Sequence, residues 1–233
     1  MLDIYYAASP NGMKLPLFLE EAAEQGAPLA HRPIPVKLSA GEQFRPEFLA
    51  ISPNNKIPAI VDHAAAGGGA PLSIFESAAI LQYLAEKSGT LLSTDLHTRF
   101  DTLQWLTWQV AGLGPMAGQA GWFRVHSQQR DDYAIDRYVR ETHRLYGVLN
   151  RRLADREFLA GDAYSIADIA CWPWIVSHAG HGQSFDDFPD IARWFEAIRQ
   201  RPATQRAFAH YEDPYARVRH PARDEAAIEE GIA

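Results

Sequence analysis

Apolar residues in the first part of the chain follow two periods in turn, and this alternation predicts a mixed α/β domain. Short apolar runs predict strands at residues 2–6, 29–36, 59–61 and 72–74. Apolar residues three to four positions apart predict helices at 13–25, 44–51 and 77–87. The predicted order is therefore βαβαββα.

Prolines refine this arrangement. Pro33 and Pro35 lie in the second predicted strand, and proline confines a strand to a sheet edge because it lacks the N–H that pairs with a neighbour. Pro16 restricts the first helix to a start near Gly12 or Met13, so that free N–H groups of its first turn are expected to face residues 9–11. A βαβαββα order with the second strand at an edge matches a thioredoxin-like α/β domain.

The second half of the chain shows no convincing strand pattern. Apolar residues at helical spacing predict a helix that is expected to break at the Gly-Leu-Gly-Pro sequence at 112–115. A long amphipathic helix is predicted from apolar positions that recur every three to four residues, namely Tyr138, Thr142, Leu145, Leu149 and Leu153. Ser165 and Asp168 resemble a capping box before another apolar run, and they are predicted to be structural.

Together these patterns predict a two-domain protein. The thioredoxin-like domain covers residues 1–87, and an all-α helical C-terminal domain covers 95–212. Residues 88–94 are a linker, and 213–233 form a C-terminal extension.

Composition narrows the possible partners. The 233 residues are 47% hydrophobic and 22% charged, which is ordinary for a globular protein. The net charge of −7 argues against a nucleic-acid partner, because a phosphate backbone is neutralised by an excess of Lys and Arg. No apolar run is long enough for a membrane span, and the N-terminus lacks a signal-peptide pattern.

The chain has one cysteine, Cys171, which lies in the apolar run after Asp168. An intramolecular disulfide and a thiolate metal cluster are therefore excluded, and Cys171 is expected to be a buried, inert thiol. His178 and His181 lack a third ligand, so no metal site is expected. A cytoplasmic protein is the simplest interpretation.

The segment Ser-Pro-Asn-Asn-Lys-Ile-Pro at 52–58 carries the first functional signal. An apolar strand follows it directly, and a polar pair, Glu76 and Ser77, opens the next helix. This arrangement suits a peptide-like ligand that pairs with an exposed backbone edge and places its carboxylate at a helix N-terminus. It indicates glutathione.

The chain resembles the glutathione transferases up to about residue 210 through the Ile57–Pro58 turn, the Glu76–Ser77 pair and the Ser165–Asp168 box. Five segments resemble the bacterial Nu class, which is similar to the yeast prion-type glutathione transferases: residues 9–12, 43–48, 52–58, 103–105 and 168–174. The resemblance implies a homodimer and glutathione-dependent reduction of disulfides, with poor conjugation of electrophiles. Ser9 departs from the Thr that members often have.

The resemblance favours Asn11 and Ser9 as catalytic donors to the sulfur of glutathione. A hydroxyl or an amide can donate to a thiolate, which is the nucleophilic form of a thiol. The alternative is that both residues only cap the helix and shape the turn. Tyr5 and Tyr6 are rivals, but an early strand favours a structural role for them.

The remaining candidates bind glutathione or support its site. The resemblance implies that Ile57 pairs with the cysteinyl backbone and that Pro58 is a structural cis proline; a trans proline is the alternative. Glu76 and Ser77 would hold the γ-glutamyl ammonium and carboxylate, unless they form an ordinary N-cap pair.

Further polar residues are weaker candidates. Gln43 and Lys56 could reach the glycyl carboxylate, or be solvated surface residues. Gln104 and Arg137 would bind a second glutathione in the helical domain, although an exposed helical arginine needs no such role.

Three functional hypotheses remain at this point. The leading one is glutathione-dependent reduction of small disulfides by bound glutathione thiolate, without a protein cysteine. The alternatives are conjugation of glutathione to small electrophiles and a non-catalytic glutathione-binding module. A thiol-dependent glutaredoxin is disfavoured because the predicted active loop contains no cysteine.

Overall fold

The computed structural model describes residues 1–65 and 68–210, which form two compact units. The first comprises residues 1–99 and the described residues from Arg201 onward, and the second comprises residues 100–200. The predicted C-terminal extension at 213–233 lies outside the described residues.

A four-stranded sheet organises the first unit. Its strands are Leu2–Tyr6 (β1), His31–Pro35 (β2), Ala59–Asp62 (β3) and Leu72–Phe75 (β4). The spatial order is β2-β1-β3-β4, with β1 parallel to β2 and the other pairs antiparallel. The edge position predicted for the proline-containing strand is confirmed.

Three helices complete the predicted βαβαββα order, which confirms the thioredoxin-like fold of this unit: Lys14–Glu24 (α1), Pro46–Leu49 (α2) and Ser77–Ser88 (α3). Pro16 lies in the first turn of α1, where proline is tolerated. The helix predicted at 44–51 is shorter than expected. Arg45 is extended (φ −67°, ψ 142°) because it precedes Pro46, and so Phe44 belongs to a separate 3₁₀ turn, Glu42–Phe44.

The chain beyond α3 is helical, as predicted, and among the described residues it forms only an isolated β-bridge between Phe158 and Gly161. Its α-helices are Leu96–Trp108 (α4), Gly114–Gly121 (α5), Asp132–Leu153 (α6), Ile166–Val176 (α7), Pro189–Arg199 (α8) and Pro202–His210 (α9). The long amphipathic helix predicted around residues 138–153 is α6.

The break expected at residues 112–115 is wrong. A π-helical segment, Gln109–Leu113, joins α4 to α5 without leaving the helical path. Pro115 lies in the first turn of α5, directly after the π-helical segment. Gly114 is closely packed, since a β-carbon there would lie 2.6 Å from Gln109 Nε2 and 3.3 Å from the ring of Trp174, and these neighbours would have to shift.

The last described helix departs from the predicted domain boundary. Residues 95–212 were expected to form one helical domain, but α9 groups with the first unit and packs against α1. Arg201 makes a bidentate ion pair with buried Glu21 (2.6 and 2.7 Å), and Arg206 pairs with Glu20 at 2.8 Å. These contacts span about 180 residues of sequence, so helical periodicity could not predict them.

The buried carboxylate of Asp62 lies at the end of β3 opposite Ala59 and supports that end of the sheet. Asp62 accepts hydrogen bonds from Tyr83 (2.5 Å) and the backbone N–H of Ala64, and it pairs with Lys87 at 2.7 Å. Burial alone would raise the pKa of Asp62, but these partners lower it to about 2. Burial and the neighbouring carboxylate raise the pKa of Tyr83 to about 12.

Asp62→Asn is expected to flatten the acid-induced loss of stability. The native pKa of about 2 lies below the ordinary 3.8, so the ionised group stabilises the fold above about pH 4 and loses that contribution as the pH falls towards 2. The contribution is about 2 kcal/mol. Urea unfolding between pH 2 and 7 measures it, with exposed Asp187→Asn as the control. Identical pH profiles for Asp62→Asn and the parent protein would contradict this role.

Candidate functional site

Strand register brings the predicted glutathione residues of the first unit to one end of the sheet. Tyr5 pairs with Ala59, which pairs in turn with Phe75. The loop after β1, the turn before β3 and the start of α3 therefore lie at the same end. Strand β2 runs parallel to β1 and also ends there, because Tyr6 pairs with Pro35. The segment that follows β2 therefore begins at the same end of the sheet.

The loop after β1 is held by bonds to the first turn of α1. Ser9 Oγ accepts a hydrogen bond from the N–H of Gly12 (3.0 Å), and Ser9 O accepts one from Met13 (2.9 Å). Asn11 O accepts from the N–H of Lys14 at 3.4 Å. The expectation that free N–H groups face this loop is wrong, because the loop itself binds them. These N–H groups are therefore not open to an anion, and the Ser9 hydroxyl and the Asn11 side chain are the candidate donors, aided by the helix dipole.

Both predicted donors are half-buried in this loop. Ser9 does shape the turn, as the alternative interpretation held. The Ser9 oxygen is the acceptor in the bond from Gly12, so this bond does not use the hydroxyl proton of Ser9. The capping role and a donor role of Ser9 are therefore compatible.

Gly12 is fixed by a close approach of the backbone. A β-carbon at this position would lie 1.9 Å from the carbonyl oxygen of Ala7. The carbonyl belongs to a residue five positions away in the sequence.

The turn before β3 presents the backbone of Ile57. The Ile57–Pro58 peptide bond is cis, as predicted. The side chain of Ile57 packs on a small apolar cluster that includes Val36 and Phe48. Among the described residues, neither the N–H nor the C=O of Ile57 has a hydrogen-bond partner. Ser52 Oγ donates to Lys56 O (2.8 Å) and holds the preceding loop.

Glu76 and Ser77 open α3 with an unusual backbone. Glu76 is exposed and has φ 69° and ψ 114°, a region that non-glycine residues rarely adopt. Its side chain makes no capping bond, so the interpretation as an ordinary N-cap pair fails for the carboxylate. Ser77 is buried, and its Oγ accepts a hydrogen bond from Lys14 Nζ at 3.0 Å.

Lys14 is not among the residues predicted from the sequence. The side chain is fully buried in the first turn of α1, beside Leu15 and one turn from Phe18. The available signal was a lysine adjoining the apolar face of a predicted helix, where a charged residue is rarely buried without a partner.

Gln43 and Lys56 differ in their surroundings. Gln43 is half-buried, and its Oε1 has no hydrogen-bond partner among the described residues. Lys56 is exposed and makes no ion pair within the described part of the chain. Both remain candidates for a carboxylate or amide of the ligand.

Arg137 lies in a groove of about 810 Å³ on the second unit. Its neighbours on α6 are paired with each other, Arg140 with Asp136 and Arg144 with Glu141, both at 2.7 Å. Arg137 itself is exposed and forms no ion pair with any described residue. The groove is lined by Met116, Tyr133, Asp136, Arg137, Tyr138, Arg140, Glu141 and Arg144.

The other candidate of the helical part, Gln104, does not line this groove. Gln104 is exposed on α4, and its Nε2 donates to Phe100 O at 3.2 Å. Trp105 and Trp108 contact each other edge to face, with ring centroids 5.1 Å apart. The structure therefore does not bring Gln104 and Arg137 into one groove.

Comparison with known proteins agrees with this arrangement. Residues 4–86 match the model of the glutathione S-transferase N-terminal domain, and residues 113–202 match that of the C-terminal domain. The disulfide-bond oxidoreductase YfcG of Escherichia coli (strain K12) is 56% identical over 207 residues, which cover 89% of this chain and 94% of YfcG. The chain belongs to the glutathione S-transferase family.

Two solved glutathione transferases have the same fold. One is a family member from Pseudomonas fluorescens with two glutathione bound, and it is 41% identical. The match covers 88% of this chain and 91% of that protein's chain, with a TM-score of 0.81. The other, from Pseudomonas putida with one glutathione disulfide per subunit, is 44% identical, covers 88% and 90%, and has a TM-score of 0.81. The predicted family resemblance is confirmed.

Two predicted structural features of this glutathione S-transferase are present in α7. Ser165 and Asp168 form a capping box, and Cys171 is buried as expected. In the described ranges, no group of three His, Cys, Asp or Glu side chains could hold a metal ion, and no helix is long and apolar enough to cross a membrane.

Proposed function

We propose that this glutathione S-transferase reduces small disulfides with bound glutathione as its only thiol. The observation that carries the proposal is the convergence of Ser9, Asn11, Ile57 and Ser77 at one end of a thioredoxin-like sheet that has no cysteine. The single thiol of the protein, Cys171, is buried in α7. The kinship with a disulfide-bond oxidoreductase supports the same activity.

Each part of glutathione has a matching group at this end of the sheet. The backbone N–H and C=O of Ile57 pair with the cysteinyl residue, as in strand addition. Ser77 donates to the γ-glutamyl carboxylate, and Glu76 accepts from the ammonium group. Gln43 and Lys56 bind the glycyl end.

Ser9 and Asn11 act on the cysteinyl sulfur. The Ser9 hydroxyl and the Asn11 amide donate to the thiolate, which stabilises the charged form and lowers the thiol pKa. The thiolate attacks one sulfur of the substrate disulfide, forms a mixed disulfide and releases one thiolate. A second glutathione thiolate then attacks the glutathione sulfur, which yields oxidised glutathione and the second substrate thiol.

The groove at Arg137 is our proposed site for the second glutathione. Arg137 is the arginine of this groove that forms no ion pair among the described residues, so it can bind a carboxylate. The relative from Pseudomonas fluorescens was crystallised with two glutathione bound. Five of the eight lining residues are charged, which favours a charged ligand over an apolar electrophile.

A homodimer is our proposal for the assembly. It follows from the family resemblance, and exposed Leu96 and Phe100, one turn apart on α4, offer apolar surface to a second chain. Light scattering that returned the mass of one chain would contradict it. We also infer a cytoplasmic location from the cysteine content.

The deciding experiment is reduction of a small disulfide by glutathione, followed through oxidised glutathione. The purified protein is expected to act well above the uncatalysed rate, and Cys171→Ala is expected to keep that rate because the buried thiol takes no part. Isothermal titration with glutathione runs alongside. Bound glutathione with no disulfide reduction would refute the oxidoreductase, and a conjugation assay with a small electrophile would then separate a transferase from a binding module.

A further inference from the structure

Lys14 connects two elements of the proposed glutathione site. It is the first residue of α1, and its side chain is fully buried. Its Nζ donates to the Oγ of Ser77, the first residue of α3, at 3.0 Å. The sequence separation of 63 residues makes this a tertiary contact rather than a local cap.

The chemistry of this bond determines how Ser77 can act. An ammonium group has three donors and no acceptor, so the Ser77 oxygen must be the acceptor in this pair. The hydroxyl proton of Ser77 then points away from Lys14. Lys14 therefore leaves Ser77 as a donor to whatever lies on its other side.

Distance adds an electrostatic effect. A carboxylate that accepts a hydrogen bond from Ser77 at about 2.8 Å lies within about 6 Å of Lys14 Nζ, because the two bonds share the Ser77 oxygen. An opposite charge within this range favours the ionised form of a carboxylate, and burial weakens its screening by solvent.

We propose that Lys14 is a positioning residue for the γ-glutamyl carboxylate of glutathione, acting through Ser77. The inference rests on the proposed function. Lys14 orients the Ser77 hydroxyl towards the ligand and places a positive charge behind it. This role does not require Lys14 to contact glutathione directly or through a water molecule.

Lys87 shows what a purely structural lysine looks like in the same unit. Its Nζ pairs with the Asp62 carboxylate at 2.7 Å and also donates to Ala64 O, at the other end of β3. Lys14 instead donates to a hydroxyl at the end of the sheet where the candidate residues converge. Lys87→Met is therefore a matched control, since it removes a lysine from the same unit without touching Ser77.

The test compares two ligands on the full chain. Glutathione is measured against 4-aminobutyryl-cysteinylglycine, which is glutathione without its γ-glutamyl carboxylate. Lys14→Met is expected to weaken glutathione binding about 10- to 100-fold, the range for a hydrogen bond to a charged group. Binding of the analogue is expected to change less than twofold, and kcat is expected to change far less than KM.

The outcomes separate this inference from the proposed function. Equal weakening of both ligands in Lys14→Met, or no weakening of either, would overturn the role of Lys14. A parent protein that binds no glutathione would refute the proposed function itself. Lys87→Met is expected to bind both ligands as the parent protein does.

A second variant keeps the test decisive if Lys14→Met fails to fold. Ser77→Ala removes the hydroxyl through which Lys14 acts and leaves the lysine in place. The parent protein's preference for glutathione over the analogue is expected to fall at least tenfold in Ser77→Ala. An unchanged preference would overturn the proposal.

Discussion

Asn11→Ala is expected to lower kcat/KM for glutathione-dependent disulfide reduction about 100-fold, the usual loss when one donor to a reacting anion is removed. The physical reason is specific to this loop. The N–H groups of Gly12, Met13 and Lys14 are bonded to Ser9 and Asn11 oxygens, and the side chains of Ser9 and Asn11 are the donors proposed for the sulfur. Loss of the amide donor raises the pKa of the bound thiol and reduces the thiolate fraction at neutral pH.

The pH profile distinguishes this role from a structural one. Part of the lost activity of Asn11→Ala is expected to return as the pH rises, because more of the bound thiol ionises. Asn11→Asp, which places a negative charge beside the sulfur, is expected to be slower still at neutral pH. Gln128→Ala removes an exposed amide elsewhere and serves as the control. Parent-like turnover in Asn11→Ala, with an unchanged melting temperature, would contradict the assignment.

The sheet was predictable because its signals are local. The period of the apolar residues located β1 to β4 to within a few positions, and prolines 33 and 35 fixed β2 at an edge. The position of Asn11, Ile57 and Ser77 near strand ends then follows from the order of the elements. The local part of the candidate site therefore needed only pattern and topology.

Features that depend on distant partners were not predictable in the same way. The α9 helix of the first unit carries the pairing of Arg201 with Glu21 at its start, and Gly114, next to the π-helical segment 109–113, lies close to the ring of Trp174. Lys14 was overlooked because its partner, Ser77, is brought near only by the fold. The spacing of apolar residues shows which face of a helix is apolar. It does not show which charged side chains pair with each other across the core.

Asp168 also has distant partners that the sequence did not predict. Its replacement is the second change for which a large effect is expected. The sequence predicted a helix cap, whose loss costs about 1 kcal/mol. In the structure Asp168 is fully buried, and its Oδ1 also accepts from the N–H of Leu159 and from Trp194 Nε1, both at 2.9 Å. Its Oδ2 accepts from the N–H and the hydroxyl of Ser165 at 3.1 and 3.0 Å.

Asp168→Ala is therefore expected to lower the free energy of unfolding by about 4 kcal/mol, because buried donors left without acceptors add to the lost cap. Urea and thermal unfolding measure this, with exposed Asp162→Ala, from the loop before α7, as the control. Asp168→Asn keeps one acceptor for Leu159 and Trp194 but turns a donor towards Ser165, so its loss is expected to be intermediate. A loss of only about 1 kcal/mol in Asp168→Ala would show that the cap alone matters and that these buried donors find other acceptors.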